Sequence, residues 1–332
     1  MTKDIIRLEH VDPNQRRVMF VDWSLGNTCN YECTYCPDRL HNGSVAWSDR
    51  SAIINFCGKL LDHYQRLGKS VYFQFTGGEP TLYPGFLELI SNLKSQACEI
   101  AVISNGSRRL AWWELARESL DAALLTHHIE FAKFDHFLSV VRLLSETIRT
   151  HVNVTMHPER FDECLDRALQ LAESCTDISV TLKPLLVGFG SLLYPYTEAQ
   201  REILQKTILQ PKKTRPRKAV RRVMLKIHRD GTSRASHGSH LIVDHENQWF
   251  GWSCHIGLEL LSINSRGEVY RAGCRQGGLV GHISDELISF PVQPVICRQD
   301  ICHSITDIMT TKVEDPEAWE NGNQRCDIVA TG

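Results

Sequence analysis

The sequence lacks a strong net charge, a long apolar run and an apolar stretch at its N-terminus. Its 37 Lys and Arg residues nearly balance 39 Asp and Glu, which leaves a formal net charge of −2, so no global attraction to nucleic acid or to a membrane surface is expected. No segment approaches the about 18 consecutive apolar residues of a membrane span, and the opening MTKDIIRLEH lacks the apolar core of a signal peptide. We therefore expect a cytoplasmic protein without a membrane partner.

Cysteine, by contrast, is abundant, with 12 residues in a chain of 332. In a reducing compartment such residues are not expected to form a disulfide framework, and a close group of them indicates a metal or catalytic site. Isolated cysteines within helix or strand patterns are expected to be buried instead. These isolated residues are Cys57, Cys98, Cys164 and Cys175.

Short runs of β-branched and aromatic residues alternate with amphipathic helical stretches up to about residue 205. This alternation predicts an α/β fold with a parallel sheet, wound into a partial (β/α)6 TIM-like barrel whose functional loops follow the strands. A small cysteine-rich α+β module is expected at the C-terminal end. The predicted strands are Met19–Leu25, Val71–Phe75, Glu99–Ile103, Asp121–Thr126, His151–Met156 and Ile178–Leu182.

The pattern changes near Gln210, where a run rich in Lys and Arg begins. We predict a barrel domain over residues 1–210, a basic linker over 211–230 and a metal-stapled module over 231–332. The segment Lys212–Arg229 holds nine Lys or Arg residues. Such a run is usually a solvated linker, and the alternative is a site for nucleic acid or for the phosphates of a nucleotide.

The strongest functional signal is CNYECTYC, which places Cys29, Cys33 and Cys36 in the loop after the first predicted strand. The spacing C-x3-C-x2-C brings three thiolates close together, and thiolates are the ligands that iron–sulfur clusters require. Three cysteines leave one iron of a four-iron cubane open to bind a small molecule. A zinc site, the alternative, would usually recruit a fourth protein ligand.

On this motif, with an aromatic residue before its last cysteine, the sequence resembles the radical S-adenosylmethionine (SAM) superfamily. TGGEP (76–80) follows the second predicted strand and resembles the family segment that receives the methionine amino group of SAM. Its two glycines let backbone carbonyls approach the ligand, and its glutamate offers charge. ISNGS (103–107) follows the third strand and resembles the ribose-contacting loop. The resemblance covers about residues 19–205 and implies these SAM-binding residues: Tyr35, Gly77, Gly78, Glu79, Pro80, Ser104 and Asn105.

The resemblance also implies a reaction. A [4Fe–4S] cluster chelates SAM, and one electron from the reduced cluster breaks the S–C5′ bond to give methionine and a 5′-deoxyadenosyl radical, which takes hydrogen from a substrate C–H bond. A one-electron reductant such as flavodoxin or ferredoxin is the implied partner. The reaction is an isomerisation, an oxidoreduction or the formation of a C–C or C–X bond. Its substrate is a peptide or a small molecule, with a modified nucleotide or a base in nucleic acid as the alternative.

A second group of cysteines lies in the C-terminal module and consists of Cys254, Cys274, Cys297 and Cys302. The segment between the first two resembles the hairpin that opens the twitch and SPASM modules of some radical SAM enzymes, which implies an auxiliary iron–sulfur cluster. Four ligands close a site, so such a cluster would relay electrons or hold structure rather than bind SAM. A zinc site and unliganded cysteines remain alternatives, and His303 or Cys326 is a possible replacement for one ligand.

Polar residues near the predicted strand ends are candidates for orienting a substrate or moving a proton. These catalytic candidates are His127, His128, Glu130 and Lys183, with His157 at a further strand end. A rival function of another class is a non-catalytic iron–sulfur or zinc scaffold that binds nucleic acid or a partner. The three-cysteine motif together with both SAM-like loops, in their proper order, favours the enzyme.

Overall fold

The structure is a computed structural model. It describes residues 4–175, 177–190, 192–206, 209 and 223–314. The chain divides into two compact units, here called the α/β unit and the cysteine-rich unit. The α/β unit comprises residues 22–218 and 263–267, and the cysteine-rich unit comprises residues 1–21, 219–262 and 268–332.

Strands and helices alternate through the first two thirds of the described residues, and short strands dominate the remainder. The strands are β1 (Ile5–His10), β2 (Val18–Ser24), β3 (Ser70–Thr76), β4 (Glu99–Ser104), β5 (Ala122–His127), β6 (Arg149–Met156), β7 (Ile178–Pro184), β8 (Val223–His228), β9 (Ser233–His237), β10 (Ser253–Cys254), β11 (Leu260–Ile263), β12 (Glu268–Tyr270), β13 (Leu279–His282), β14 (Val295–Ile296) and β15 (Lys312–Val313). The helices are α1 (Arg50–Arg66), α2 (Phe86–Lys94), α3 (Leu110–Ala116), α4 (Phe134–Ser145), α5 (Phe161–Ser174), α6 (Glu198–Lys206), α7 (Gly238–Val243) and α8 (Ile305–Ile308).

The α/β unit is built on strands that follow chain order, from β2 through β3, β4, β5 and β6 to β7. Strands β3 to β7 pair in parallel. Strand β5 is buried at all six positions, as expected for a parallel strand that is covered on both faces. The six predicted strands are all present and the predicted α/β class is confirmed. Within the described residues the sheet ends at β7 and does not close.

The helices of this unit form where the sequence shows a cap and an apolar stripe. Asp49 caps α1 by accepting a hydrogen bond from the backbone N–H of Ala52. Helix α4 buries a stripe with helical spacing, which packs its inner face: Phe137, Val140, Val141 and Leu144. Because the strands are parallel, the loops that follow β2, β3, β4 and β5 lie at one edge of the sheet, and these loops carry the predicted site residues.

The cysteine-rich unit contains an antiparallel sheet in the order β14, β10, β15, β1, β8, β9. Strand β1 lies inside this sheet, since Leu8 pairs with Lys312 of β15 and with Lys226 of β8. Its core includes the fully buried Trp249, which packs with Leu8. In addition, β12 pairs with β13 in antiparallel register.

These units differ from the predicted domain boundaries at the N-terminus. The prediction assigned residues 1–210 to the barrel, whereas residues 1–21 belong to the cysteine-rich unit. The pairing of β1 with β8 and β15 explains the difference, because partners more than 200 residues away leave no local pattern in the sequence. Of the predicted linker, residues 211–222 lie outside the described residues, and Val223–His228 forms strand β8.

Two smaller predictions were also tested. The isolated cysteines Cys57, Cys98, Cys164 and Cys175 are buried, as expected. In the part of the chain that the structure describes, no helix is both long and apolar enough to cross a membrane.

Candidate functional site

The loop after β2 is closed by the side chain of Asn27, which is only 4 % exposed. Its Nδ2 donates to the carbonyl oxygen of Arg39 at 3.0 Å, to Asn42 Oδ1 at 2.8 Å and to Ser44 Oγ at 3.1 Å. Its Oδ1 accepts from the N–H of Val45 at 2.9 Å. One buried amide thus ties the start of the cysteine loop to its end. Asn27 could not be predicted as a site residue from the sequence, since its role depends on partners up to 18 residues away.

The three cysteines of this loop are partly or fully buried, and burial raises the pKa of each thiol. For Cys33 the pKa rises to about 12, with further contributions from the charges of Glu130, Cys29 and Cys36. A bound cation reverses this effect, because coordination stabilises the thiolate. Three soft donors that influence one another's pKa on one loop fit the three-iron face of a [4Fe–4S] cluster.

The loop after β3 packs its backbone directly against the start of the cysteine loop. Gly78 N–H donates to the carbonyl oxygen of Gly26 at 3.0 Å, and Glu79 N–H donates to that of Thr28 at 2.7 Å. A Cβ on Gly78 would lie 2.3 Å from the Thr28 oxygen, and one on Gly77 would lie 2.4 Å from the Gly26 oxygen. Glycine is therefore required here for contact between two protein loops, in addition to the predicted room for a ligand.

Glu79 clamps the loops after β3 and β4 together. Its Oε1 accepts from Thr81 N–H at 3.2 Å, Thr81 Oγ1 at 2.6 Å and Ser104 Oγ at 2.8 Å. Its Oε2 accepts from Asn105 N–H at 2.8 Å. The carboxyl is 1 % exposed, and burial raises its pKa although these hydrogen bonds oppose the rise. Buried Pro80 follows Glu79 and begins a short 3₁₀ turn.

Asn105 connects the loop after β4 to the cysteine loop. Its Nδ2 donates to Asn30 Oδ1 at 3.0 Å and approaches the Cys29 sulfur at 3.9 Å. Asn30 in turn donates to Ser107 Oγ at 3.0 Å. Hydrogen bonds to ligating sulfurs are one of the means by which a protein sets the potential of an iron–sulfur cluster. Of the predicted pair, Asn105 thus lies beside Cys29, while Ser104 donates to Glu79.

Glu130, in the loop after β5, is hydrogen-bonded to the middle of the cysteine loop. Its Oε2 accepts from Thr34 N–H at 2.8 Å and its Oε1 accepts from Thr34 Oγ1 at 2.5 Å. His157, at the end of β6, approaches the same carboxylate at 3.8 Å. Thr34 lies between Cys33 and Cys36, two of the predicted ligands, so Glu130 holds the segment from which both project.

His128 holds the aromatic residue of the motif. Tyr35 OH lies 2.7 Å from His128 Nδ1 and 3.2 Å from Thr155 Oγ1, and the Tyr35 and His128 rings stack. Burial lowers the pKa of His128 to about 3, and the charge of Lys183 acts in the same direction. The ring is therefore neutral at physiological pH. Lys183 also acts to lower the pKa of the Cys36 thiol, against the larger effect of burial.

His127 differs from the other catalytic candidates because its side chain packs against helix α4. The ring contacts Phe134 and Phe137 edge-on, with centroids 5.7 and 5.1 Å away. Neither ring nitrogen has a hydrogen-bond partner in the described structure. Burial lowers the pKa of His127 to about 4, assisted by the charge of Arg167. Of the four candidates, the structure brings His128 and Glu130 into contact with the cysteine loop and leaves His127 in the packed layer.

The cysteine-rich unit gathers the second group of cysteines around one cavity. Burial raises the pKa of Cys274 to about 12 and that of Cys302 well above the usual value. His303 is exposed and does not line the cavity, and Cys326 lies outside the described residues. The side chains with metal-binding or charged groups that line it are Cys254, Cys274, Cys297, Cys302, Asp307 and Lys312.

Soft thiol donors from separate stretches of chain fit a four-cysteine iron–sulfur cluster. Among the residues that the structure describes, no group of three or more His, Cys, Asp or Glu side chains has the spacing of a single-ion site. A cubane presents a separate iron to each thiolate, so its ligands need not converge on one point.

Two buried charged residues complete this cavity, and the sequence analysis identified neither. The Asp307 carboxylate accepts from Gly273 N–H at 3.1 Å and from Cys274 N–H at 2.7 Å. Lys312 Nζ donates to the carbonyl oxygens of Asp307, Ile308 and Thr310 at 2.7, 3.0 and 3.1 Å, and to Thr310 Oγ1 at 3.0 Å. The sequence signals only a short polar segment here, because the roles of both residues depend on main-chain partners.

A parallel α/β sheet with a hydrogen-bonded three-thiol loop at its carboxyl edge fits a protein that holds a metal–thiolate centre. Residues 23–183 match the sequence profile of the Radical SAM superfamily, and the chain belongs to that superfamily. The predicted family is thereby confirmed, and with it the expectation of SAM and a [4Fe–4S] cluster as its cofactors. The twitch or SPASM character of the C-terminal module stays a prediction.

Comparison with individual proteins gives more distant likenesses. The GTP 3′,8-cyclase of Pasteurella multocida is 29 % identical over 122 residues, which are 34 % of this chain and 35 % of the relative. That of Haemophilus ducreyi is 31 % identical over 102 residues, 30 % of this chain and 29 % of the relative. These matches span about a third of the relatives' length. The solved structure of native anSMEcpe with bound AdoMet covers 81 % of this chain and 78 % of that chain, with a TM-score of 0.51 and 15 % identity, so the fold is shared.

Proposed function

We propose that this chain cleaves SAM reductively and uses the resulting 5′-deoxyadenosyl radical to take hydrogen from a substrate C–H bond. The observation that carries the proposal is the hydrogen-bonded loop assembly in which Glu79 and Asn105 join the loops after β3 and β4 to the three-cysteine loop. A site that is rigid before its ligand arrives is what radical chemistry requires, because a reactive intermediate must be positioned and kept from side reactions.

When bound, the cluster would supply the electron that reductive cleavage of SAM requires. Cys29, Cys33 and Cys36 would hold the cluster, and the backbone of Gly77 and Gly78 is the proposed site for the methionine amino group. The remaining predicted SAM contacts are Tyr35, Glu79, Pro80, Ser104 and Asn105.

Among the candidates for proton transfer, His128 and Glu130 act best as positioning residues. Both are hydrogen-bonded to the cysteine loop, His128 to Tyr35 and Glu130 to Thr34. We therefore assign them the task of fixing the cluster ligands. Lys183 remains the proposed residue for orienting a substrate, since its charge acts to lower the pKa of both the Cys36 thiol and His128.

The four-cysteine cavity supports a second, auxiliary iron–sulfur cluster with Cys254, Cys274, Cys297 and Cys302 as ligands. A cluster with four protein ligands would relay electrons or stabilise the unit. A radical SAM enzyme needs a reductant, and we propose a flavodoxin or ferredoxin in a cytoplasmic setting.

A purine nucleotide is the substrate class that the relatives favour, because both named relatives are GTP cyclases. The alternatives are a peptide or another small molecule. Nucleic acid receives less support from the basic segment, since two of its nine cations have internal partners. Lys226 pairs with Glu246 and Arg229 pairs with Glu314, each at 2.6 Å. The other seven, between Lys212 and Arg222, lie outside the described residues.

The test is anaerobic reconstitution with iron and sulfide, followed by metal analysis and a dithionite-driven assay for 5′-deoxyadenosine from SAM. We expect about eight irons per chain, as two cubanes require, and deoxyadenosine formation that a variant lacking Cys29, Cys33 and Cys36 does not show. Addition of GTP, ATP or a peptide mixture then distinguishes the substrate classes, since the correct one should accelerate cleavage. A loaded three-cysteine site that releases no deoxyadenosine with several reductants would overturn the proposal.

A further inference from the structure

Lys312 is the most unusual charged residue of the cysteine-rich unit. Its side chain lines the four-cysteine cavity and is 1 % exposed. Lysine is almost never fully buried unless its charge is paired, because an ammonium group loses strong hydration when it leaves water. The environment of Lys312 must therefore provide a compensating negative charge.

Among the described residues, the protein groups around Lys312 provide that charge only in part, through Asp307, whose charge acts on Lys312 without forming an ion pair. All four of its hydrogen bonds go to neutral oxygens of Asp307, Ile308 and Thr310. The nearby acid, Asp307, directs its carboxylate to the N–H groups of Gly273 and Cys274 instead. On its other side Lys312 meets the ring of Trp249, with Nζ 5.9 Å from the centroid, which is a weak cation–π contact. In the described residues, no ion pair joins Lys312 to a carboxylate.

The remaining wall of the cavity consists of the thiols. A cubane core of charge +2 with four thiolates carries a net charge of −2, and uptake of one electron makes it −3. Carbonyl dipoles fix Lys312 in place, so its charge acts on this centre from a constant position. A fixed cation in a low-dielectric site favours the more negative state of its neighbour.

We propose that Lys312 is the counter-charge of an anionic iron–sulfur centre at the four cysteines and that it raises the reduction potential of that centre. The inference rests on the proposed auxiliary cluster. Asp307 acts in the opposite direction to Lys312, because a negatively charged carboxylate lowers the reduction potential of the centre.

The test uses full-length chains in which Cys29, Cys33 and Cys36 are replaced by Ala, so that only the four-cysteine site takes up iron. In this background we would compare the parent with Lys312→Met, Lys312→Arg and Asp307→Asn. Iron and sulfide content show whether each variant loads, and a redox titration followed by electron paramagnetic resonance gives the midpoint potential. We expect a lower potential in Lys312→Met, little change in Lys312→Arg and a higher potential in Asp307→Asn.

A second measurement does not depend on the potential. If the centre is the counter-charge, the rise in Tm on loading with iron and sulfide should be smaller in Lys312→Met than in the parent, since the unloaded Met variant no longer buries an uncompensated charge. Equal midpoint potentials in loaded parent and loaded Lys312→Met would overturn the inference and leave the auxiliary cluster intact. A folded parent that takes up no iron would overturn both. If Lys312→Met does not fold, an Asp307→Asn potential at or below that of the parent overturns the inference.

Discussion

The two cysteine sites of this chain are assembled in different ways. The first draws its three cysteines from eight consecutive residues on one loop, and neighbouring loops of a parallel sheet support it. The second collects four cysteines spread over residues 254–302, on β10 and on loops of an antiparallel unit. A compact cysteine motif can be recognised as a candidate metal site from the sequence alone. A dispersed set of cysteines can be recognised as one site only when distant strands pair, as β10 does with β14 and β15.

The charges around the two sites differ as well. Charges of both signs act on the three-cysteine loop, where Glu79 raises the pKa of Cys29, Glu130 raises that of Cys33 and Lys183 acts to lower that of Cys36. The four-cysteine cavity contains the buried cation Lys312 beside Asp307. A cation thus lines the second site directly, whereas acids act on two of the three thiols at the first.

Single cysteine replacements should give the largest contrast between the sites. We expect Cys33→Ala to abolish SAM cleavage, because a three-thiol site has no spare ligand, whereas Cys274→Ala should retain cleavage at the intact first site. The measurements are dithionite-driven 5′-deoxyadenosine formation and iron content, which should fall by about four per chain in each variant. Cys57→Ala, at a buried position in α1, serves as the control and should keep both properties. Cleavage at the wild-type rate by Cys33→Ala would refute the assignment.

The clamp at Glu79 provides a test of how the first site is held. In Glu79→Gln only one side-chain oxygen remains, and an amide NH₂ faces the donors of Thr81, Ser104 or Asn105. The mismatch should cost about 2–4 kcal/mol of unfolding free energy, since hydrogen bonds to a buried charged group are lost. A thermal melt measures the effect against Glu88→Gln, an exposed position on α2. Equal Tm values for the two variants would show that the clamp contributes nothing.

A smaller effect is expected when the hydrogen bonds between Glu130 and Thr34 are weakened. Glu130→Gln keeps one acceptor and removes the charge, so the loop should loosen by about 1–2 kcal/mol. The readout is the rate at which a chelator removes iron, which should rise at the three-cysteine site and stay constant at the four-cysteine site. Glu159→Gln, exposed and close in sequence to His157, is the matched control. An unchanged rate in Glu130→Gln would contradict a positioning role.

The smallest expected effect concerns acid stability and His127. Its pKa is about 4 in the folded chain and about 6.5 when unfolded, so the unfolded state takes up a proton first as pH falls and stability is lost below about pH 6.5. Arg167 and Arg160 strengthen the shift and Glu163 opposes it. Between pH 8 and pH 6 the wild type should lose about 0.8 kcal/mol relative to His127→Phe. Denaturant melts at both pH values measure this, and parallel losses in wild type, His127→Phe and His127→Leu would contradict it.

Much of the α/β unit could be predicted because its signals are local. Alternating runs identified all six strands, and the order of the cysteine, TGGEP and ISNGS segments along the chain matched the order of the loops at the sheet edge. The predicted Glu79, Ser104 and Asn105 do lie together, although the structure shows Glu79 bonded to protein donors.

The unpredicted features depend on tertiary partners. Asn27, Asp307 and Lys312 each bond to backbone groups, which the sequence does not identify as partners. His127 and His128 are adjacent, yet the first packs on α4 and the second bonds Tyr35, a difference set by which face each occupies. The placement of β1 among β8 and β15 was likewise invisible to local patterns.

That placement of β1 has a consequence for synthesis on the ribosome. The strand emerges first, but β8 begins at Val223 and β15 at Lys312, so both of its neighbours arrive much later. Most of the α/β unit, residues 22–218, is translated before either neighbour of β1, and domains generally fold as units in translation order. Strand β1 can therefore complete its pairing only after β15 has been synthesised, so the sheet of the cysteine-rich unit is completed late in folding.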